Sequence, residues 1–241
     1  MTTTPVSPVG GREPELQAGS VEPPAGLAEE LADAAAAFEH APAGHSIAWA
    51  VKRFGDRVAL ACSFQDCVIV DIAVQEDPRI EVLFLDTGFH FPETLEFVEE
   101  VRERYDLNLR IVKPGPEAGH WPCGTERCCE LRKVAPLAAA LDGRRAWLTG
   151  LKRTDASTRA GAPVVSWDAA RGMVKVNPMA TWTDADVAGY ISDHSLPEHP
   201  LVGKGYLSIG CAPTTRPVRP GEDPRSGRWA GVDKTECGLH A

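Results

Sequence analysis

Between residues 27 and 193 the apolar positions recur with two alternating periods. Short apolar runs at 58–61, 81–85, 109–112 and 146–148 have the length of buried strands. The segments between them, 67–75, 92–104 and 127–140, repeat apolar residues at helical spacing, and Pro92 stands where a helix tolerates proline, in its first turn. Leu27, Leu31 and the alanines at 34–37 predict an earlier helix over 27–40, and 44–54 a second. Thr183 and Asp186 form a capping-box-like start, with Asp in place of Glu or Gln, for a helix to about Asp193. This alternation predicts an α/β fold, a doubly wound and mostly parallel sheet with helices on both faces, over residues 27–200. Residues 1–26, rich in Pro, Gly and Thr, read as a disordered leader. After Pro197 the periodicity fades, and 201–241 reads as ordered loop followed by a flexible tail.

Composition narrows the classes. A chain of 241 residues with 43% hydrophobic content suits one large domain with extensions. No apolar run approaches the roughly 20 residues that span a bilayer, and no basic, apolar signal pattern opens the chain. The expectation is therefore a cytoplasmic protein with no membrane role. In that reducing setting seven cysteines read as thiols, metal ligands or redox groups rather than disulfide staples. The net charge of −9 is uneven: residues 1–40 hold seven acids against Arg12, which leaves −3 for the rest. Nucleic-acid binding is excluded as a general activity, while local basic clusters remain able to hold one small anion.

In open parallel sheets ligands bind beyond the carboxyl ends of the strands. Three polar loops fall there. The first is Ser63, Phe64, Gln65 and Asp66; its hydroxyl and N–H groups suit a phosphate at a helix start, although a plain N-cap is the simpler reading. It lacks the glycines and Lys-Ser/Thr pair of a Walker loop. The second is Asp86, Thr87 and Gly88, where an acid can accept from ribose or adenine and Gly88 permits close backbone approach. The third is Gly150, Leu151, Lys152 and Arg153, with Arg159 following; the two arginines can clamp an anion bidentately. Each loop alone is ordinary turn chemistry, and three at one sheet edge point to a ligand.

Vicinal Cys128 and Cys129 are unusual as packing residues, and thiolates are the preferred ligands of iron–sulfur clusters. Cys211 is a candidate third ligand, with Lys133 placed to offset cluster charge or to face a sulfate; burial of one of the pair is the plain alternative. Cys62 and Cys67 flank apolar segments and read as core. Cys123 reads as a loop thiol with no assigned role. Near the C-terminus Lys234 and His240 flank Cys237, and neighbouring cations favour the thiolate, the form that acts as nucleophile. An idle surface cysteine is the alternative there.

The segments SFQD, LDTGFHFPET, CCELRK, TGLKR, KVNP, GYLSIGCAP, DPRSGRW and KTECGLH occur here in the order seen in bacterial assimilatory sulfonucleotide reductases, the adenylyl-sulfate and phosphoadenylyl-sulfate reductases. The chain resembles that family over roughly residues 45–241. The resemblance implies an adenine nucleotide alpha-hydrolase-like fold with a mobile catalytic tail. It implies a nucleotide held by Ser63, Gln65, Asp66, Asp86, Thr87, Gly88 and Arg153, with Lys133, Arg225 and Arg228 at its phosphosulfate. Cys237 would take the sulfur as S-sulfocysteine, His240 would position or tune it, and thioredoxin would release sulfite, within sulfate assimilation and cysteine biosynthesis. A [4Fe-4S] cluster would sit on Cys128, Cys129 and Cys211. Partners other than thioredoxin are not implied, and homo-oligomer formation is left open.

Two positions depart from the pattern. The cluster-bearing branch has a second Cys-x-x-Cys pair, which here reads Cys211-Ala212-Pro213-Thr214, so a labile, incomplete or absent cluster is expected. Water or Cys123 as a substitute ligand ranks below that. Lys152 stands where the family usually has the first of two arginines, keeping charge and losing the fork. Adenylyl sulfate is the favoured substrate, because the cysteine pair and Lys133 resemble that branch; the alternatives are its 3′-phosphorylated form reduced without a cluster, or a non-catalytic nucleotide or iron–sulfur sensor. An ATP-activating relative of the same fold would need a glycine-rich loop near residue 63, which SFQD does not supply.

Overall fold

The computed structural model describes residues 21–229, 234 and 236–239. Six strands form one sheet in the order β3-β2-β1-β4-β6-β5. The first four are β1 (Val58–Ala61), β2 (Glu81–Leu85), β3 (Leu109–Val112) and β4 (Ala146–Thr149), all parallel. They lie where the apolar runs predict them. The last two, β5 (Val165–Asp168) and β6 (Met173–Val176), form an antiparallel hairpin that extends the sheet beside β4. The hairpin is an element the apolar-run reading passes over: polar Ser166 and Asp168 break one strand and Lys175 the other, and its turn closes on Gly172 at φ 64.

Alternation along the strands divides two cores. Val58, Leu60, Val82, Phe84, Ala146 and Leu148 face the larger one. Into it α1 (Leu27–Phe38), α2 (Ala43–Phe54), α3 (Val68–Glu76) and α4 (Pro92–Tyr105) send their apolar stripes. In α2 the buried positions Ala43, Ile47, Ala50 and Phe54 step by four, three and four residues, one stripe of a 3.6-residue period. Ala59, Leu83, Trp147 and Met173 face the smaller core, closed by Leu137, Ala140 and Leu141. Each fully buried large apolar side chain contributes roughly 1.5–3 kcal/mol.

The segment predicted as one helix over 127–140 is interrupted. It comprises α5 (Glu126–Cys129), a π-helical turn (Glu130–Val134) and α6 (Ala135–Ala140). Pro136 has no N–H for Arg132 and its ring would crowd that carbonyl; the wider turn accommodates both. Helix α7 (Asp184–Asp193) begins with Thr183 and Asp186 in the reciprocal cap expected of them. Beyond Pro197 the described chain holds only short 3-10 turns and one bridge, Thr215 to Arg228. Among the described residues no helix is long and apolar enough to cross a membrane.

Candidate active site

The strand order reverses between β1 and β4, since β2 and β3 lie to one side of β1 and β4 to the other. Loops leaving those two strands therefore diverge and leave a crevice at their carboxyl ends. A cleft of about 260 Å³ occupies that place. Its walls come from loop 62–66, loop 150–155, the π-turn, segment 207–211 and residues 223–229.

Loop 62–66 is held in an uncommon conformation. Phe64 has φ 54, is fully buried, and packs edge-on against Phe84 at 5.6 Å. That anchor turns Ser63 and Gln65 toward the cleft. Asp66 Oδ1 accepts from Val68 N–H at 3.1 Å and so starts α3. Burial pushes its carboxyl above the usual range, against that bond and the charge of Lys152. Gln65 Oε1 accepts from Ile209 N–H at 3.0 Å, tying the first loop to the C-terminal segment.

Loop 150–155 departs from the expected geometry. Arg153 is absent from the cleft wall: its guanidinium forks onto both oxygens of Glu39 in the connection after α1, and its Nε–H donates to Ala162 O at 2.8 Å. Lys152 lines the cleft instead, only 7% exposed, with Asp155 at 2.9 Å and Asp184 at 3.4 Å. Burial works against its charge, and the two carboxylates outweigh burial and raise its pKa. Asp86 and Gly88 also lie off the cleft wall. Asp86 Oδ1 accepts from Gly88 N–H at 3.0 Å in a local turn, so its carboxylate is spent on shaping the loop. Thr87 does face the cleft, with its hydroxyl 3.6 Å from Cys211 Sγ.

The cations gather elsewhere. Lys133, from the π-turn, and Arg225 and Arg228, from the C-terminal segment, all line the cleft. Burial pulls the Lys133 pKa down, but the neighbouring sulfurs of Cys211 and Cys237 outweigh it and hold it above the ordinary value. Arg228 lies flat over Gly210, where any Cβ would collide with the guanidinium, and its Nη1 donates to Ile209 O at 3.1 Å. Lys133, Lys234 and Arg228 surround the Trp229 ring at 5.3–5.6 Å. The Trp229 Nε1–H is buried with no acceptor among the described residues, while the residue lines the cleft.

The tail closes this arrangement. Cys237 lines the same cleft, within electrostatic reach of Lys133 and Arg228. The described residues of the tail lie against the cleft. Arg159 forks onto Glu236 at 2.9 and 2.7 Å, Arg225 approaches the same carboxylate at 3.7 Å, and Leu239 packs on the smaller core. Thus Arg159 holds the tail, where an anion clamp was one expectation. His240 lies outside the described residues.

Cys128, Cys129 and Cys211 are buried free thiols, the latter two within electrostatic reach of Lys133, and are soft donors of the kind iron–sulfur clusters take. The Cys211 thiol is held below its ordinary pKa, chiefly by neighbouring Cys123, with Lys133 and the Thr87 hydroxyl assisting against burial. Among the described residues no three His, Cys, Asp or Glu side chains close on a single metal ion. Thiolates of a multinuclear cluster each bind a different iron and need not converge so tightly. Cys67 is core as expected, whereas Cys62 sits partly open on the cleft and accepts from Phe64 N–H at 3.3 Å.

Residues 57–217, more than half of the chain, match the model of the phosphoadenosine phosphosulfate reductase domain. The chain belongs to that reductase family. It is 46% identical over 221 residues to the adenosine 5′-phosphosulfate reductase of Mycolicibacterium smegmatis, covering 88% of this chain and 94% of that one. A phosphoadenylyl-sulfate reductase structure from Candida auris, a phosphate complex, superposes with a TM-score of 0.69 at 27% identity, covering 78% of this chain and 97% of that one. An FMN adenylyltransferase of Candida glabrata matches in fold alone, TM-score 0.54 at 15% identity, over 82% and 78% of the two chains. The sheet order and these neighbours give the adenine nucleotide alpha-hydrolase-like fold. For a sulfonucleotide reductase the residues that sequence reasoning passed over are Glu236, Trp229 and Ser208. Glu236 had a signal, a carboxylate beside the candidate nucleophile Cys237; Trp229 and Ser208 had only their places in the segments DPRSGRW and GYLSIGCAP.

Proposed function

We propose that this protein reduces adenylyl sulfate to sulfite and AMP through an S-sulfocysteine on Cys237, with a thioredoxin-type dithiol as reductant. The observation that supports this most is Cys237 seated in the switch-point cleft beside Lys133 and Arg228. Ala61, Leu83, Leu151 and Met179 offer an apolar wall for the purine, and loop 62–66 offers hydroxyl and N–H groups.

In the first step the Cys237 thiolate attacks the sulfate sulfur. An S–S bond forms, the S–O bond to phosphorus breaks, and AMP leaves with that electron pair. Lys133, Arg225 and Arg228 neutralise charge as it moves onto the leaving phosphate. A thiolate of the dithiol then attacks the cysteine sulfur of Cys237. Sulfite departs with the S–S electron pair, reduced by two electrons, and leaves a mixed disulfide. The second thiol of the dithiol resolves it, restoring Cys237 and oxidising the donor.

The cleft favours the nucleotide without a 3′-phosphate. Lys152 is committed to Asp155 and Asp184, and Arg159 to Glu236, so these cations are engaged before substrate arrives. Cys128, Cys129 and Cys211 would hold an iron–sulfur cluster, which when bound supplies fixed negative charge and a rigid anchor beneath Lys133; the sulfur transfer is carried by Cys237. The test is sulfite release from each nucleotide with reduced thioredoxin. The expected result is a kcat/KM for adenylyl sulfate at least about tenfold higher, the value of one charged hydrogen bond. Nucleotide binding with no sulfite from either substrate overturns the proposal.

A further inference from the structure

The thiol set beneath Lys133 has an apparent gap at Thr214. That residue is 6% exposed, and its hydroxyl donates to Cys211 O at 3.4 Å in the turn Ala212–Thr214. A neutral hydroxyl is a poor partner for iron beside thiolates. On the other side of the same hydroxyl, at 3.9 Å, lies Cys123 Sγ, brought from 91 residues earlier in the chain.

Cys123 also stands beside Cys211 and within electrostatic reach of Cys128. Its loop is built to hold it there. Gly124 turns at φ 97, Thr125 Oγ1 donates to Pro122 O at 3.0 Å, and the same oxygen accepts from Cys128 N–H at 3.2 Å. The short turn therefore ties the loop of Cys123 to the start of α5, the helix that carries the vicinal pair. Arg132 braces the neighbouring wall, donating to Thr87 O and Ala118 O at 2.6 and 2.8 Å.

We infer that Cys123 is the fourth thiolate of a [4Fe-4S] site held with Cys128, Cys129 and Cys211, standing in space where position 214 has lost its sulfur. The inference rests on the reductase reading only for the type of cluster. Each thiol gives its proton to solvent on ligation, and iron and sulfide come from outside the chain. Lys133 offsets the net negative charge that results. Thr214 is then a neighbour that fills the space its missing sulfur would occupy, and the turn 211–214 keeps its backbone path.

The test is reconstitution of the anaerobically purified full chain with ferrous iron and sulfide, reading iron, acid-labile sulfide and the Mössbauer spectrum. The wild type is expected to hold about four irons per chain. Cys123→Ser should lose most of that iron, and Cys123→Ser combined with Thr214→Cys should regain it, which shows that the first variant still folds. Full iron retention and an unchanged spectrum in Cys123→Ser would overturn the proposal while leaving a cluster in place. So would a wild type that takes up no iron, or one in which Cys123 and Cys211 form a disulfide after anaerobic reduction. None of these bears on sulfite release by Cys237, so a failed cluster assignment and a failed reductase reading give different results.

Discussion

Glu236 turns an electrostatic pairing into a position for the nucleophile. Its carboxylate accepts both prongs of Arg159, and the next residue is Cys237. Glu236→Gln keeps the shape and removes the charge. A charged hydrogen bond contributes about 1.5–3 kcal/mol, so the docked tail should become roughly ten- to a hundredfold less favoured. Limited proteolysis of the tail should speed up accordingly, and turnover should fall without loss of nucleotide binding.

His199 carries a separate prediction in pH. It is buried against Phe97, with Nε2 3.0 Å from the Thr94 hydroxyl, and burial lowers its pKa to about 4. The unfolded chain binds a proton near pH 6.5. Between those values the unfolded state holds more protons, so stability is complete above about 6.5 and is lost as pH falls toward 4. Urea denaturation at steps across that window should show a decline on the order of 3 kcal/mol, shallower in His199→Gln.

At the scale of elements, the strongly apolar strands were legible because parallel strands buried on both faces read as unbroken runs. The hairpin β5–β6 was not: Ser166 interrupts the edge strand β5, and Lys175 interrupts β6, which pairs with β4 and β5. The cap of α7 was legible because Thr183 and Asp186 signal locally. The π-turn was not, since it answers a clash between Pro136 and Arg132 that periodicity does not register. Helix α2 ends on Gly55 at φ 61, ψ −136, a conformation closed to other residues, with open space where a Cβ would point. Gly55→Ala should therefore cost about 1–3 kcal/mol through the backbone alone. Calorimetry should show the lower Tm, with sulfite release per folded molecule unchanged.

For the whole molecule, the switch point between β1 and β4 places the cleft, and the chain beyond Pro197 lines it with Arg225, Arg228 and Cys237. Loop 62–66, Lys133, Arg225, Arg228 and Cys237 were readable as site residues because each sits in a segment with a chemical signature. Arg153 was misplaced because its choice of Glu39 over the cleft depends on where α1 packs, which no local pattern encodes. Cys123 was weighed in the sequence only as a low-ranked substitute ligand, and its approach to Thr214 is closed by the fold across 91 residues. Two stretches of chain line one wall of the cleft: the 207–229 segment brings Arg225 and Arg228, and the tail brings Cys237.

The most direct measurement is peptide mass spectrometry after mixing the reduced protein with adenylyl sulfate and no dithiol. The account predicts a sulfonate adduct on Cys237, formed with release of AMP, absent in Cys237→Ser, and discharged as sulfite when reduced thioredoxin is added. An adduct on another cysteine, or sulfite release persisting in Cys237→Ser, would contradict it.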